Sequence, residues 1–587
     1  MKYELSGSNN KKQKRSLARD LKKLAPLLDG EKKQLAVATA AVLVWSLAAL
    51  ADPIIIGRAI DLYIKNNDFN GVLVSAAILL AVYVVAMIAS YIQTIALGGV
   101  GRRVLFNLRD ALFNKLQELP ASFFNRNKSG DLISRINNDT DKLNQFIGQA
   151  LMQFMRSSFI VVGAGIFLIS LNPRLGAASL VPAVAVLIAT RMLAPWVERA
   201  NLKSLQSIGQ MSSEIQESLA NFKVVAAFNR LDYFRDKFNN VNIGNFSASV
   251  RAGIASNIFA PIYGIASTMA QLIVLSYGIH LIGVGSFTIG LLVGYLLYVN
   301  SFYGPLRQLA AVWPSMQLAF AAIDRISEVL ALRSDMEIIE DKFGADKSDF
   351  QFEFRNVSFT YPDGKTVLSK VNLKLQKGKT YALVGPTGGG KTTTASLMAR
   401  LYDASEGDIL LEGKDIRSYP HQVRSQKIGF ILQEPFLFTG TIRDNIVYGN
   451  ENYINCTDEQ LAAALASAGL SGLVARFSDG LQTKIASGGD TISLGQKQLV
   501  AFIRAVLRKP DLLILDEATA NIDTVTEQLL EEIIKKLPKD TTKVIIAHRL
   551  NTIDNADEIY FVNANEITLA GSMENAVKML TGQKRSS

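Results

Sequence analysis

Six long apolar runs constrain this chain more than anything else in its 587 residues. They lie at about 35–57, 71–98, 147–171, 175–196, 252–282 and 287–312. Each reaches the ~20 residues that a helix needs to cross a bilayer. The sequence after them is mixed, which predicts a membrane half followed by a soluble half. Connections 58–70, 172–174 and 283–286 are short, whereas 99–146 and 197–251 are long. The long ones have helical periodicity and few breakers beyond Pro120 and the turn at 128–130. A structureless loop of that length is improbable. The spanning helices are therefore expected to continue into water, closed by a short turn or transverse helix near 121–125 and 221–226.

Charge supports this layout. The net charge is +10, and the basic residues sit beside the apolar spans, so membrane topology explains them better than nucleic acid does. The long connections carry Arg102, Arg103, Arg109, Lys115, Arg126, Lys128 and Arg135, then Arg199, Lys203, Lys223, Arg230, Arg235 and Lys237. Excess Lys and Arg marks the cytoplasmic side, so both termini are expected there. Residues 11–23 hold seven Lys or Arg and one Asp. With Leu17, Leu21, Leu24 and Leu28 on one face, they suggest an interfacial helix at an anionic membrane surface, limited by Pro26. The first 34 residues have no apolar core, so no cleavable signal is expected. One cysteine, Cys456, excludes an internal disulfide, and His280, His421 and His548 are too few for a metal cluster. Within the spans, Gln93, Gln153, Arg156, Arg191 and Gln271 either line an internal cavity or bond between helices.

The soluble half carries G-x-x-x-x-G-K-[ST] as Gly385, Pro386, Thr387, Gly388, Gly389, Gly390, Lys391 and Thr392. Glycines let consecutive backbone N–H groups turn around phosphate oxygens. Lys391 reaches the β- and γ-phosphates of a nucleotide, and the Thr392 hydroxyl ligates Mg²⁺. Residues 381–384 read as a buried strand and 393–401 as a helix whose N-terminus faces the anion. A second motif is the apolar strand 512–515 followed by Asp516 and Glu517. Asp516 would hold Mg²⁺, and Glu517 would orient or deprotonate the attacking water. Strand and helix patterns alternate to about residue 580, which argues for an α/β domain with a largely parallel sheet.

In this order, over about residues 15–580, the chain resembles a half-transporter of the ATP-binding-cassette exporter family. The resemblance implies an all-α transmembrane domain of six long helices followed by an α/β P-loop NTPase domain. The corresponding divisions are a basic tail (1–30), a membrane domain (31–330), a charged linker (331–347) and an ATP-binding domain (348–587). It also implies ATP and Mg²⁺ as cofactors, a second half-transporter as partner, and two ATP molecules bound head to tail between the halves. Tyr361 matches the aromatic that stacks on adenine, and Thr393 extends the phosphate loop. Gln433 matches the glutamine that touches Mg²⁺ and water. His548 matches the histidine at the γ-phosphate, and Asp523 lies in the loop crossing the domain interface. Residues 122–124, 130–135 and 221–225 match the two coupling regions.

Two departures stand out. The usual signature L-S-G-G-Q is here Ile492, Ser493, Leu494, Gly495 and Gln496. Ser493 and Gly495 still offer a hydroxyl and an N–H, but Leu494 replaces a glycine, which puts close backbone approach or positive φ there in doubt. Ala486 to Gly488 stand where a glutamate is usual. Such a split occurs in heterodimeric exporters with one degenerate ATP site, so the expectation is an ATP-driven exporter of drug, lipid or peptide type in a bacterial cell membrane. A homodimeric exporter and an ATP-gated, non-hydrolysing channel or regulator are the alternatives. No substrate is named by the cavity residues.

Overall fold

The computed structural model describes residues 3, 5, 30–344, 348–361, 364–486, 492–516, 524–546 and 556–582. Among the described residues six helices are long and apolar enough to cross a membrane: α1 (Lys32–Ile64), α2 (Phe69–Gln117), α3 (Ser129–Leu171), α4 (Pro173–Ala220), α5 (Leu231–Gly283) and α6 (Ile289–Leu330). The 49 residues of α2 extend about 74 Å at 1.5 Å per residue, against a ~30 Å hydrocarbon core. The end of α2 from about residue 99 therefore lies outside the bilayer, as the periodicity of 99–146 predicts. Short helices at Ala121–Arg126 and Phe222–Ala227 occupy the two expected turns. The chain divides into two compact units, one of residues 5–117 and 129–331, the other of 1–4, 118–128 and 332–587.

Several polar groups inside the helical unit are paired across helices, since lipid offers no hydrogen bonds. Three buried tyrosines of α6 donate to carbonyls of three other helices. Tyr295 reaches Leu168 of α3, Tyr298 reaches Leu50 of α1 at 2.6 Å, and Tyr303 reaches Ser179 of α4 at 2.8 Å. Leu50 and Ser179 each lie three residues before a helical proline, Pro53 and Pro182, in turns whose ladder the proline interrupts. Helices α1 and α6 touch at glycine: a Cβ on Gly290 would stand 2.0 Å from the Gly57 carbonyl oxygen. That is the close approach small residues permit in membranes. Asp61 accepts from the Gly290 N–H at 2.9 Å and from the Thr288 hydroxyl, which fixes the start of α6.

The polar span residues differ in fate. Gln93 is fully buried and donates to Met152, while Arg156 stacks 3.8 Å over the Trp45 ring and reaches Ser90 at 3.3 Å. Gln271 bonds Asn300 across α5 and α6 at 2.7 Å. Gln153 and Arg191 are exposed on this chain. Where α3 begins, buried Arg135 pairs with Asp131 at 3.0 Å and Glu328 at 2.8 Å, locking α3 to the end of α6.

Among the described residues the second unit holds twelve strands: β1 (Phe350–Thr360), β2 (Thr366–Gln376), β3 (Thr380–Val384), β4 (Glu406–Leu411), β5 (Lys414–Asp415), β6 (Ile428–Ile431), β7 (Gly440–Thr441), β8 (Lys484–Ile485), β9 (Leu512–Asp516), β10 (Thr542–Ile546), β11 (Glu558–Asn563) and β12 (Glu566–Leu569). Six form one sheet in the order β12-β11-β3-β10-β9-β6. All its pairings are parallel except β11–β12. β9 and β10 are buried throughout, as strands covered on both faces must be. A second, antiparallel sheet runs β2-β1-β4-β5. β1 carries a register shift between Phe354 and Val357.

Candidate nucleotide site

β3 delivers the chain into the phosphate loop, and α7 (Lys391–Met398) leaves it. The loop needs its glycines for stated reasons. Gly385 has φ +149°, and a Cβ there would stand 2.1 Å from the Val562 carbonyl oxygen. Gly390 has φ +109° and caps α7 in the left-handed region. A Cβ on Gly388 would meet nothing, so that face of the loop is open to a ligand. Gly389 donates to Pro386 at 3.1 Å, closing the turn through Thr387 and Gly388. The Lys391 ammonium bends back over the loop to the carbonyls of Gly385 and Pro386, at 2.9 and 3.0 Å.

Parallel pairing through β10 aligns the ends of β3 and β9, which brings together residues 124 apart in sequence. The Thr392 hydroxyl lies 3.5 Å from an oxygen of Asp516, itself buried at the end of β9. Two hard oxygen donors beside a phosphate loop suit Mg²⁺ rather than a soft metal. Gln433 follows β6, beside β9, and is exposed. The Tyr361 hydroxyl shares a hydrogen bond with Thr393 at 3.1 Å, and its ring packs edge-on against Phe359 and Tyr402. Tyr402 accepts from Asn125 of the short helix Ala121–Arg126 at 2.6 Å. Burial and the nearby Tyr361 push the Tyr402 phenol up, so it stays neutral. Neither Val562 nor Tyr402 carries a sequence signal; folding alone brings both to the site.

The signature segment begins α8 (Leu494–Val506). Ser493 caps it: its hydroxyl accepts from the Gln496 N–H at 3.2 Å, and the Gln496 side chain accepts from the Ser493 N–H at 2.9 Å. This reciprocal box leaves the Ser493 O–H proton available to an incoming oxygen. Gly495 is in the first turn. Leu494 takes ordinary helical φ and is 41% exposed. Positive φ is thus not required there, and only steric approach separates leucine from glycine. Glu517, Asp523 and His548, and with them residues 487 and 488, lie outside the described residues.

Comparison with known proteins agrees with this geometry. Residues 35–306 match the model of the ABC transporter transmembrane region, and residues 368–520 match the ABC transporter model. An ABC transporter ATP-binding protein of Bacillus subtilis is 31% identical over 573 residues, covering 96% of this chain and 94% of that protein. The chain belongs to the ABC transporter family. It is a half-transporter of the ATP-binding/permease exporter type, an integral membrane protein that binds ATP, couples its hydrolysis to transport and functions as a dimer. A fatty acid ABC transporter ATP-binding/permease protein of Mycobacterium tuberculosis is 31% identical over 508 residues, 86% of this chain and 80% of its own length. A multidrug resistance ABC transporter ATP-binding and permease protein of Lactococcus lactis is 30% identical over 495 residues, 84% and 83% respectively.

Proposed function

We propose that this half-transporter pairs with a different chain to export an apolar or amphiphilic molecule, in the range spanned by relatives named for fatty acids and for multidrug resistance. The observation that carries the unequal pairing is Leu494, a 41% exposed side chain on the first position of α8, where the family has glycine. The phosphate loop, Thr392 and Asp516 of the same chain keep every oxygen and nitrogen that nucleotide binding uses. In this reading Lys391 and the loop hold the phosphates, and Tyr361 stacks on the base. Thr392, Gln433 and Asp516 hold Mg²⁺, which supplies charge neutralisation at the phosphates. Glu517 accepts the proton of the attacking water, His548 contacts the γ-phosphate, and Asp523 lies at the domain interface. Ser493, Gly495 and Gln496 face the ATP held by the partner. ATP shifts the balance only by binding the closed arrangement better. The basic extensions of the spans support a reading in which both termini and the ATPase unit lie in the cytoplasm of a bacterial cell.

One observation favours a homodimer instead: the capping box at Ser493 and the helical φ of Leu494 leave α8 intact. The mass of the purified complex decides. Two polypeptides in equal amount support the heterodimer; a stable, substrate-stimulated ATPase containing this chain alone refutes it.

A further inference from the structure

Between α4 and α5 lies a cavity of about 340 Å³, lined on α4 by Trp196, Arg199 and Lys203 and on α5 by Ala248, Arg251 and Ile254. We propose that it binds the phosphate headgroup of an anionic phospholipid, from the leaflet on the side where the basic extensions begin. The inference requires only that α4 and α5 cross a membrane, and so stands apart from the partner, the substrate and the direction of transport.

Helical spacing builds the site. Residues 196, 199, 200 and 203 lie along one face of α4, and 248, 251 and 254 along one face of α5. The faces are held together around the cavity. Asn201 donates to Ser256 at 3.1 Å, Ser204 and Ser249 hydroxyls meet at 3.4 Å, and Lys237 pairs with Glu214 at 2.9 Å further along. The pocket is therefore preformed rather than a gap between loose helices. Its lining combines apolar residues with three cations.

Those cations are the reason to expect an anion. Arg199 and Lys203 are like charges one turn apart, a destabilising arrangement on a helix, and Arg251 faces them from α5. Among the described residues none of the three forms an ion pair. Three arginines of the other extensions are neutralised internally: Arg103 with Glu31 at 2.6 Å, Arg109 with Asp141 at 3.0 Å and Arg135 with Asp131. Glu198 is adjacent in sequence but about 100° round the helix from Arg199, and it does not line the cavity. Position selects the source of the anion. Apolar sequence ends at Trp196 on α4 and begins after Arg251 on α5, so the cavity sits where an interfacial tryptophan and lipid phosphates share a level. Ile254 and Trp196 then face the first carbons of an acyl chain.

The test uses the full transporter with Trp45→Phe and Trp313→Phe, leaving Trp196 as the tryptophan of this chain. Its quenching is measured in vesicles of brominated phosphatidylglycerol or brominated phosphatidylcholine at equal mole fraction. With three basic residues at an anionic surface, the relative binding constant should favour phosphatidylglycerol by at least ~10-fold. Arg199→Gln with Lys203→Gln and Arg251→Gln should bring it near unity while ATPase activity, the check on folding, is kept. Lys203→Arg should retain the preference. Equal binding of the two lipids by the parent overturns the proposal. So does loss of the preference on adding millimolar inorganic phosphate, which would assign the site to a soluble anion.

Discussion

The Lys391 ammonium sits 2.9 and 3.0 Å from two carbonyls of the loop it serves, so its charge is placed before any phosphate arrives. Lys391→Ala removes a charge-assisted partner of the β- and γ-phosphates. At 1.5–3 kcal/mol for hydrogen bonds to charged groups, ATP affinity should fall about ten- to a hundredfold. Nucleotide titration of the purified transporter checks this, and unchanged affinity would sink the phosphate-loop assignment. Tyr402 offers a second residue-scale test. Its hydroxyl accepts from Asn125 at 2.6 Å, while its ring touches Tyr361, which bonds Thr393 beside the phosphate loop. Tyr402→Phe keeps the ring and loses one hydrogen bond, a cost of about 1 kcal/mol. ATP affinity should stay within about twofold of the parent, since Tyr361 and the loop are untouched, whereas the ratio of substrate-stimulated to basal ATPase should fall. An unchanged ratio would show that the Asn125 contact carries no signal.

At the scale of single elements, α8 makes the sharpest case. Ser493→Ala removes the cap of a 13-residue helix and should lower stability by about 1 kcal/mol, read as a drop in melting temperature. Ser493→Thr restores the cap and the hydroxyl together, so the melting temperature should recover, while turnover should stay near the parent's in both variants if the site that Ser493 borders hydrolyses nothing. Turnover lost in Ser493→Ala and regained in Ser493→Thr would instead place the hydroxyl at a working site, against the degenerate one. The elements were legible in the sequence where one physical demand dominates. Hydrocarbon demands about twenty apolar residues, which located all six spans, and the long periodic connections revealed the helical extensions and short transverse helices. A phosphate demands glycine and lysine at fixed spacing, which located the loop. What could not be read is what depends on distant chain segments. Val562 backs the phosphate loop from β11, and Arg135 finds Glu328 almost two hundred positions away, its pairing printed nowhere in local pattern. The same holds for the three-cation cavity, whose residues come from two helices and read separately as ordinary basic flanks. The concern about Leu494 was half settled by structure: its backbone is that of any helix start, and its side chain alone is at issue.

At the scale of the whole molecule, the question is how two halves divide the work of two ATP sites. In a head-to-tail pair, Leu494 and Ala486 face ATP bound to the partner, while Lys391, Asp516, Glu517 and His548 face ATP bound to this chain. If the partner has a full signature and a weakened glutamate or histidine, both defects fall in one composite site and the other works alone. Glu517→Gln then keeps shape and binding but loses the proton acceptor, so turnover should fall at least ~100-fold and the complex should accumulate closed on ATP. Leu494→Gly should change turnover little in that arrangement, because the site it borders hydrolyses nothing. The substitution also weakens α8 by up to ~1 kcal/mol, so its melting temperature must be followed beside its activity. In a homodimer Leu494 borders both working sites, and the same change should alter ATPase activity strongly at unchanged fold. Steady-state ATPase of the two variants, measured in the complex as purified, separates the arrangements. A large effect of Leu494→Gly on turnover without a matching loss of stability would exclude the degenerate site.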